Sequence, residues 1–488
     1  MEIHVATDHL LRLRTLTCAT LAAALASCAL GPSFRHPDRP APSSYLPPAA
    51  PDEVAASPNP FTQRIVPSAD GEATWWTLFN SPELDQLIAQ AIERNQTLAA
   101  AKGSLEQAQE LLTELTGTRY PQVSLDAGTG RQKYGAEFLG ALSVPPFTYF
   151  AVGPTVRYNL DYTGGIARSI EQRAALTQYQ RSELDAAYLT LTGSVVTQCL
   201  IIASTRAQIQ ATSDLLAQDR DNLKLVQSAF ENGSVSKVDV LTAQSQLASD
   251  ETLLPPLRQE LSVARHALAV LVGRPPAELA PANFELGRLA LPRELPVSLP
   301  SQLVHRRPDI LAAEAQLHAA TAAVGIATAN LYPHITLTAT VSQQAARPER
   351  LFDASSTAWS LIGGLTTPLF DGGTLRAERR AALAALNVSA ARYQQTVLQS
   401  FAQVADALDA LSHDADLLAA QANALQTAQS SVALARESYS AGNSGVLQIL
   451  DAQRALQRAQ LGYLRAEAQQ YLDTTQLFLA TGGALPQG

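Results

Sequence analysis

Thiols and imidazoles are the first residues to consider for chemistry in this 488-residue chain. There are three cysteines, Cys18, Cys28 and Cys199, and eight histidines. Cys199 lies within Val195-Val196-Thr197-Gln198-Cys199-Leu200-Ile201-Ile202 and reads as a small buried hydrophobe. The histidines are scattered, and none stands at metal-ligand spacing with a second ligand. No GxSxG elbow, P-loop ending in GK[ST] or HExxH pair occurs. Nucleophilic acyl transfer, phosphate cradling and zinc chemistry therefore all lack their residue pattern, and neither a catalytic nor a metal residue is assigned.

Cys28 is the exception, because its setting supplies a covalent chemistry. Arg12 and Arg14 precede the apolar stretch Thr15–Ser27, whose length fits the range of about 7–15 residues for the core of a secretory signal. That stretch is too short to remain as an anchor. It ends Leu25-Ala26-Ser27-Cys28, which resembles a bacterial lipobox, in which the Cys becomes the new, diacylated N-terminus. Ala29, rather than an Asp, follows the Cys, and for lipoproteins this implies sorting to the outer membrane. Cys18 would leave with the signal and Cys28 would be acylated, so Cys199 has no partner for an intrachain disulfide. The lipid on Cys28 is the one prosthetic group expected, and several acyl chains would hold the protein firmly at a membrane.

Composition points to the elements that such a terminus would carry. Lys and Arg number 35 against 44 Asp and Glu, for a net charge of −9, which argues against a nucleic-acid partner. Apolar residues make up 46% and aromatics 6%, a balance that favours closely packed helices over an aromatic-rich pocket. Beyond the N-terminus no run of about 18 uninterrupted apolar residues suggests a helical membrane span. A β-barrel stays open as the other way through a membrane. Residues 29–70 are crowded with proline and read as an extended spacer rather than a packed element. Ordered structure is expected from Trp75-Trp76, with Ser81 capping a helix that starts at Pro82.

The body is periodic. Tyr188, Val195, Ile202, Ile209, Leu216, Leu223 and Phe230 recur every seven residues, and so do Val397, Val404, Leu411, Leu418, Leu425, Val432 and Tyr439. The two series share a constant offset of 209 residues, and each stops three residues before a glycine, Gly233 or Gly442. Second heptad lines follow from Val240 and Ile449 and end at Gly273 and Gly482. The shared register marks an internal duplication. A strict seven-residue repeat makes a coiled-coil seam, because a straight helix would drift off it by about 20° per heptad. Long helical hairpins are expected, turning at 231–236 and 441–446, with Pro255-Pro256 kinking the fourth helix.

Between the hairpins lie short alternating stretches, 123–127, 156–161, 335–341 and, less regular, 357–370. Tyr120-Pro121 matches Tyr332-Pro333 across the duplication, and Asp161 with Gly164-Gly165 matches Asp371-Gly372-Gly373. Such strands fit either a half-wet soluble sheet or an outer-membrane wall, apolar towards lipid and polar towards a lumen; the lipobox favours the wall. Four strands cannot close a barrel, since the smallest membrane barrels have about eight, so several chains must contribute.

With these features the chain resembles the TolC-like outer membrane factors, in the lipoprotein branch typified by the NodT and OprM channels. The segments that carry the resemblance include 75–95 (WWTLFNSPELDQLIAQAIERN), Leu303 to Ile310 (LVHRRPDI), 327–339, 366–378 and 439–460. The resemblance implies a homotrimer whose twelve strands form one barrel in the outer membrane, continued by a long periplasmic α-barrel. It also implies a periplasmic membrane-fusion adaptor and an inner-membrane pump of the RND, MFS or ABC type as partners. Small molecules, drugs or other toxic compounds, would pass through passively. Expected divisions are signal 1–27, lipidated tether 28–74, first repeat 75–275, linker 276–302, second repeat 303–482 and tail 483–488.

Within the shared motifs, Pro308 fits a first helical turn and Asp309 a positive helix end. Arg306 and Arg307 are expected to pair with acids at a strand–helix junction, and Gly372-Gly373 to free the backbone for a turn. The resemblance makes Gly233, Ser234 and Gly442, Asn443, Ser444, Gly445, Val446 the periplasmic gate and adaptor tip. Related channels often carry an acid at 442–446. Its absence here suggests a gate closed by small polar and apolar contacts, less cation-selective than an acidic ring. Thr481 stands where the family usually has Leu, with no functional consequence expected. A duct for type I protein secretion and a structural coiled-coil lipoprotein are the alternatives; the second would need neither strands nor duplication.

Overall fold

The computed structural model describes residues 30–37, 44–45, 59–67, 74–134, 145–280, 283–297 and 300–483. The signal, Cys28, most of the Pro-rich tether and residues 484–488 of the tail lie outside these residues. The first elements are β1 (Arg64–Pro67), α1 (Pro82–Arg94), α2 (Gln96–Gly117), β2 (Gln122–Gln132) and β3 (Phe147–Leu160). Then come α3 (Gly165–Glu231), α4 (Lys237–Glu251), α5 (Leu254–Leu271) and β4 (Glu294–Val297). The second half continues with α6 (Pro308–Ala329), β5 (His334–Ala345), β6 (Thr357–Thr366), α7 (Thr374–Ser440) and α8 (Val446–Ala480).

The duplication is plain in the helices. α3 and α7 each run 67 residues, about 100 Å at the usual rise. Along them most heptad positions are buried or half-buried, with Val195, Ile202 and Val404 fully covered and Phe230, next to the tip, exposed. Both turns fall where the glycines place them. The expected kink is a break: α4 ends at Glu251 and α5 begins at Leu254 with the two prolines in its first turn. Proline has no N–H to donate, so it fits there and nowhere deeper in a helix.

The chain forms two compact units, and these differ from the two sequence repeats. One unit comprises residues up to 37, 105–180 and 313–393; the other comprises 38–104, 181–312 and 394–488. Each therefore takes corresponding pieces of both halves; in the sheet, strand pairs from each half are joined across the duplication by β3 and β5. The first unit holds a four-stranded antiparallel sheet in the order β2-β3-β5-β6. All four strands fall on the alternating stretches, but β3 starts earlier, at Phe147, and β6 stops at Thr366, leaving Leu369 and Phe370 fully exposed.

The second unit contains the main core. Trp75, Trp76 and Phe79, in a tight turn over 75–79, pack with Leu84, Ile88, Val195, Leu200, Leu268 and Phe478. Ser81 Oγ accepts from the Leu84 N–H at 3.3 Å, with Pro82 first in α1, as the sequence suggests. One expectation is corrected here: residues 64–67 are not free spacer, since β1 pairs in parallel with β4. The segment 276–302 between the repeats supplies that β4 and buries Phe284, Leu286, Leu295 and Val297 in the core. A four-residue strand pair gives too short an alternation to stand out among prolines.

Candidate functional site

Register turns the strand alternation into a surface. Val123 stands opposite Val156, and Leu125 opposite Pro154. Val156 in turn opposes Ala339, Tyr158 opposes Leu337, and Leu160 opposes Ile335. Ile335 faces Leu365, Ala339 faces Leu361, and Val341 faces Trp359. Directly opposed residues share a sheet face, so the apolar series of four separate strands collects on one side. The opposite side carries Ser124, Thr155, Arg157, Asn159 and Thr338, with Thr336 Oγ1 donating to Asn159 Oδ1 at 3.1 Å. The apolar side is bare: Leu125 is 74% exposed and Trp359 77%. β2 and β6 are edge strands, each with one row of backbone groups left open for pairing.

At the end of the second strand of each half, an aspartate caps the long helix that follows. Asp161 accepts from the Ile166 and Ala167 N–H groups at 3.0 and 2.8 Å. Asp371 accepts from those of Gly373 and Leu375, both at 2.8 Å. A helix start leaves four backbone donors without partners, and these carboxylates satisfy two each. The bonds hold the Asp371 carboxyl below the usual carboxylate range, the Leu375 N–H contributing most. Gly164, Gly372 and Gly373 make the turns at φ of 74°, 67° and 88°, where a side chain would strain the backbone. In sequence the two aspartates stand out as matching positions of the duplication, and their place a few residues before each helix is the signal for a capping role.

Arg307 is buried in the second unit, with Nε and Nη2 on the two oxygens of Asp309 at 3.0 and 2.7 Å. Nη1 donates to the Ala480 carbonyl at 2.8 Å, and Nη2 also reaches Gln403 Oε1 at 2.7 Å. The expected pairing with an acid is present, but between the motif's own residues and between helices, not at a strand. Pro308 opens α6, and Asp309 lies in its first turn. Ala480 closes α8, where a cation is favoured by the helix dipole. Arg306 beside it is half-buried and engaged in its own right.

Both hairpin tips end their helices in the same way. Gly233 and Gly442 take φ of 72° and 73°. The Ser234 N–H donates to Ala229 O at 2.8 Å, and the Asn443 N–H to Ser438 O at 2.9 Å. This is the left-handed glycine stop, which satisfies carbonyls that a helix end leaves open. The starts of the returning helices differ. Ser236 and Asp239 form a reciprocal capping box at α4, whereas Gly445 caps α8 with no side-chain bond. Val446 is buried in a small cluster with Val226, Val240, Ala243 and Leu450, joining the two tips. Gly442, Asn443 and Gly445 are exposed, and Ser444 is half-buried.

Cys28 lies outside the described residues, but its neighbours from Leu30 onwards are packed in the first unit. The Leu30 N–H donates to Thr163 O at 3.1 Å, and Arg168 Nε donates to Leu30 O at 3.3 Å. Phe34 stacks on His318 with ring centres 4.2 Å apart. This seat corrects the reading of residues 29–70 as spacer throughout, since its contacts come from distant segments that leave no local pattern.

A family model described as outer membrane efflux protein matches residues 87–274 and again 299–483. The pyoverdine export outer membrane protein OpmQ of Pseudomonas aeruginosa is 32% identical over 445 residues, covering 89% of this chain and 93% of its own. The toluene efflux pump outer membrane protein TtgF of Pseudomonas putida is 29% identical over 470 residues, 95% of each chain. Among solved structures, the outer-membrane channel OprN aligns with a TM-score of 0.84 at 27% identity, over 93% of this chain and 99% of that one.

Proposed function

The chain belongs to the outer membrane efflux protein family, and on that premise we propose that three copies assemble into one passive duct for small molecules. The observation that carries this reading is the sheet: one face mainly apolar and exposed, with Gln343 and Thr357 towards one end, the other mainly polar, both edges open. Four strands per copy make twelve, enough to close a barrel whose apolar face meets lipid and whose polar face lines a lumen. The long helical hairpins form the periplasmic conduit, and the tips at 231–236 and 441–446 serve as gate and docking surface for a membrane-fusion adaptor. The sequence holds no P-loop to capture nucleotide energy, so the drive comes from an inner-membrane pump of the RND, MFS or ABC type. Conduction, not catalysis, is the activity.

Acyl chains on Cys28 anchor the N-terminus, and the seat for residues 30–36 supports that reading by giving the lipidated end a fixed place in the first unit. Pyoverdine export and toluene efflux, for which two relatives are named, favour small organic cargo over proteins. The test is a susceptibility panel of antibiotics, dyes, detergents and aromatic acids on a deletion strain with and without a plasmid copy. Sensitivity in the deletion strain, reversed by the plasmid, supports efflux, and the pattern points to the pump. An unchanged panel with lost exported proteins would replace this reading with protein secretion.

A further inference from the structure

Two pairs of carboxyl groups lie within the helical hairpins of the second unit, all buried except Asp473, which is half-buried. In the first hairpin Asp219 of α3 meets Asp250 of α4, the two only 5% and 6% exposed. In the second, Asp414 of α7, 8% exposed, meets Asp473 of α8. Asp219 Oδ2 and Asp414 Oδ2 are both buried without a donor. Their partners are each held by a glutamine one turn earlier on the same helix. Gln246 Nε2 donates to Asp250 Oδ2 at 2.6 Å, and Gln469 Nε2 to Asp473 Oδ2 at 2.9 Å. The arrangement arises twice at positions that are not equivalent in the duplication, so each hairpin has it independently.

An ionised carboxylate only accepts hydrogen bonds, and two of them in contact away from water cannot both stay charged. One proton removes the repulsion and gives the orphaned oxygen its bond. We propose that each hairpin is latched by a single proton shared between its two carboxyl groups, so that its helices hold together more tightly in acid than in alkali. Nearby charges do not replace the proton. Arg454 of α8 lowers Asp219, but by less than burial and Asp250 raise it; its Nη1 lies 3.4 Å from Asp451 and its Nε is buried without an acceptor. Arg220 and Glu251, next to the pair in sequence, neutralise each other at 3.0 Å. On Asp414 the charged group that acts is Asp473 itself.

Burial first, then the facing carboxyl, pushes Asp219 and Asp414 up to about 7 from an ordinary value of 3.8. The folded protein then keeps protons that the unfolded chain has released. This stabilisation is complete below about pH 4 and is lost as the pH rises through about 7.

The test is hydrogen exchange of the purified, detergent-solubilised protein at pH 5.5 and 8.5, corrected for intrinsic rates, in wild type and in the double variant Asp219→Asn, Asp414→Asn. Asparagine keeps the shape and supplies a permanent donor. Opening of segments 215–255 and 410–477 should rise roughly tenfold with pH in wild type and stay flat in the variant. A variant with the wild-type slope, or a wild type with none, overturns the latch. Infrared titration of the wild type needs no variant. A buried carboxylic-acid carbonyl band should be present at pH 6 and fade through pH 7, and its absence at pH 6 overturns the proposal equally.

Discussion

Arg307 shows what a single residue of the shared motif contributes. It joins three stretches of chain: Asp309 beside it, Gln403 at 96 residues' distance and Ala480 at 173. Removing the guanidinium would leave a helix-end carbonyl and an amide without their donor and a carboxylate without its partner. Breaking a buried pair from one side costs about 3–5 kcal/mol. Asp309 keeps 44% of its side chain in water, so Arg307→Ala should fall lower, at about 2–3 kcal/mol. Arg307→Lys keeps the charge but not the two-pronged fit, and should recover less than half of that. Thermal unfolding of the three proteins side by side measures both. A lysine variant as stable as wild type would show that charge, not geometry, is what α6 and α8 need here. The sequence marks Arg307 and Asp309 as a motif. It could not mark Gln403 or Ala480, because neither a lone glutamine nor a backbone carbonyl carries a signal of its own.

Elements were legible wherever one physical period governs a long stretch. The heptads from Tyr188 and Val397 locate α3 and α7, and the glycine stops locate both tips, because seam packing and a left-handed φ each demand one residue type at a fixed place. β1, β4 and the seat of Phe34 were not legible, since their partners come from far along the chain. The two hairpin tips, alike in their stops, differ in their caps, and the difference can be tested. Gly445 holds φ −86° and ψ 165°, open to any residue, and a side chain there would meet nothing within 4 Å. Gly445→Asp would give α8 the cap that Ser236 gives α4 and place a carboxylate at a positive helix end. The gain over glycine is a few tenths of a kcal/mol. Amide exchange at 446–448 should slow accordingly. In the assembled channel the same change adds one carboxylate per copy at the tip, so conductance should turn more cation-selective and calcium should block more strongly than in wild type. Strong calcium block in wild type that survives substitution of 443–446 would refute a gate of small polar and apolar contacts.

At the scale of the whole molecule, the sheet decides where the chain can reside. The alternation of each strand was visible in isolation, but its meaning was not. A half-wet soluble sheet has the same period, and only register shows whether four apolar series fall on one face. They do, and nothing among the described residues covers them: Val123, Leu125, Trp359 and Leu361 are each at least 70% exposed. In water such a patch would drive aggregation, whereas in a bilayer it is the required outer surface of a barrel. The two faces should therefore respond in opposite ways to a charge. Leu361→Arg places a cation on the apolar face, at a cost of about 2–4 kcal/mol per copy near the bilayer midplane, tripled in a trimer. Thr338→Asp places an anion on the polar face, across the β3–β5 pair from Arg157, where water and an opposite charge accommodate it. Outer-membrane fractionation and heat-modifiable trimer on gels should show Leu361→Arg depleted from the membrane and Thr338→Asp present at wild-type level with altered conductance. Equal insertion of both variants would mean that the apolar face is covered by protein rather than lipid, and the barrel would have to be abandoned.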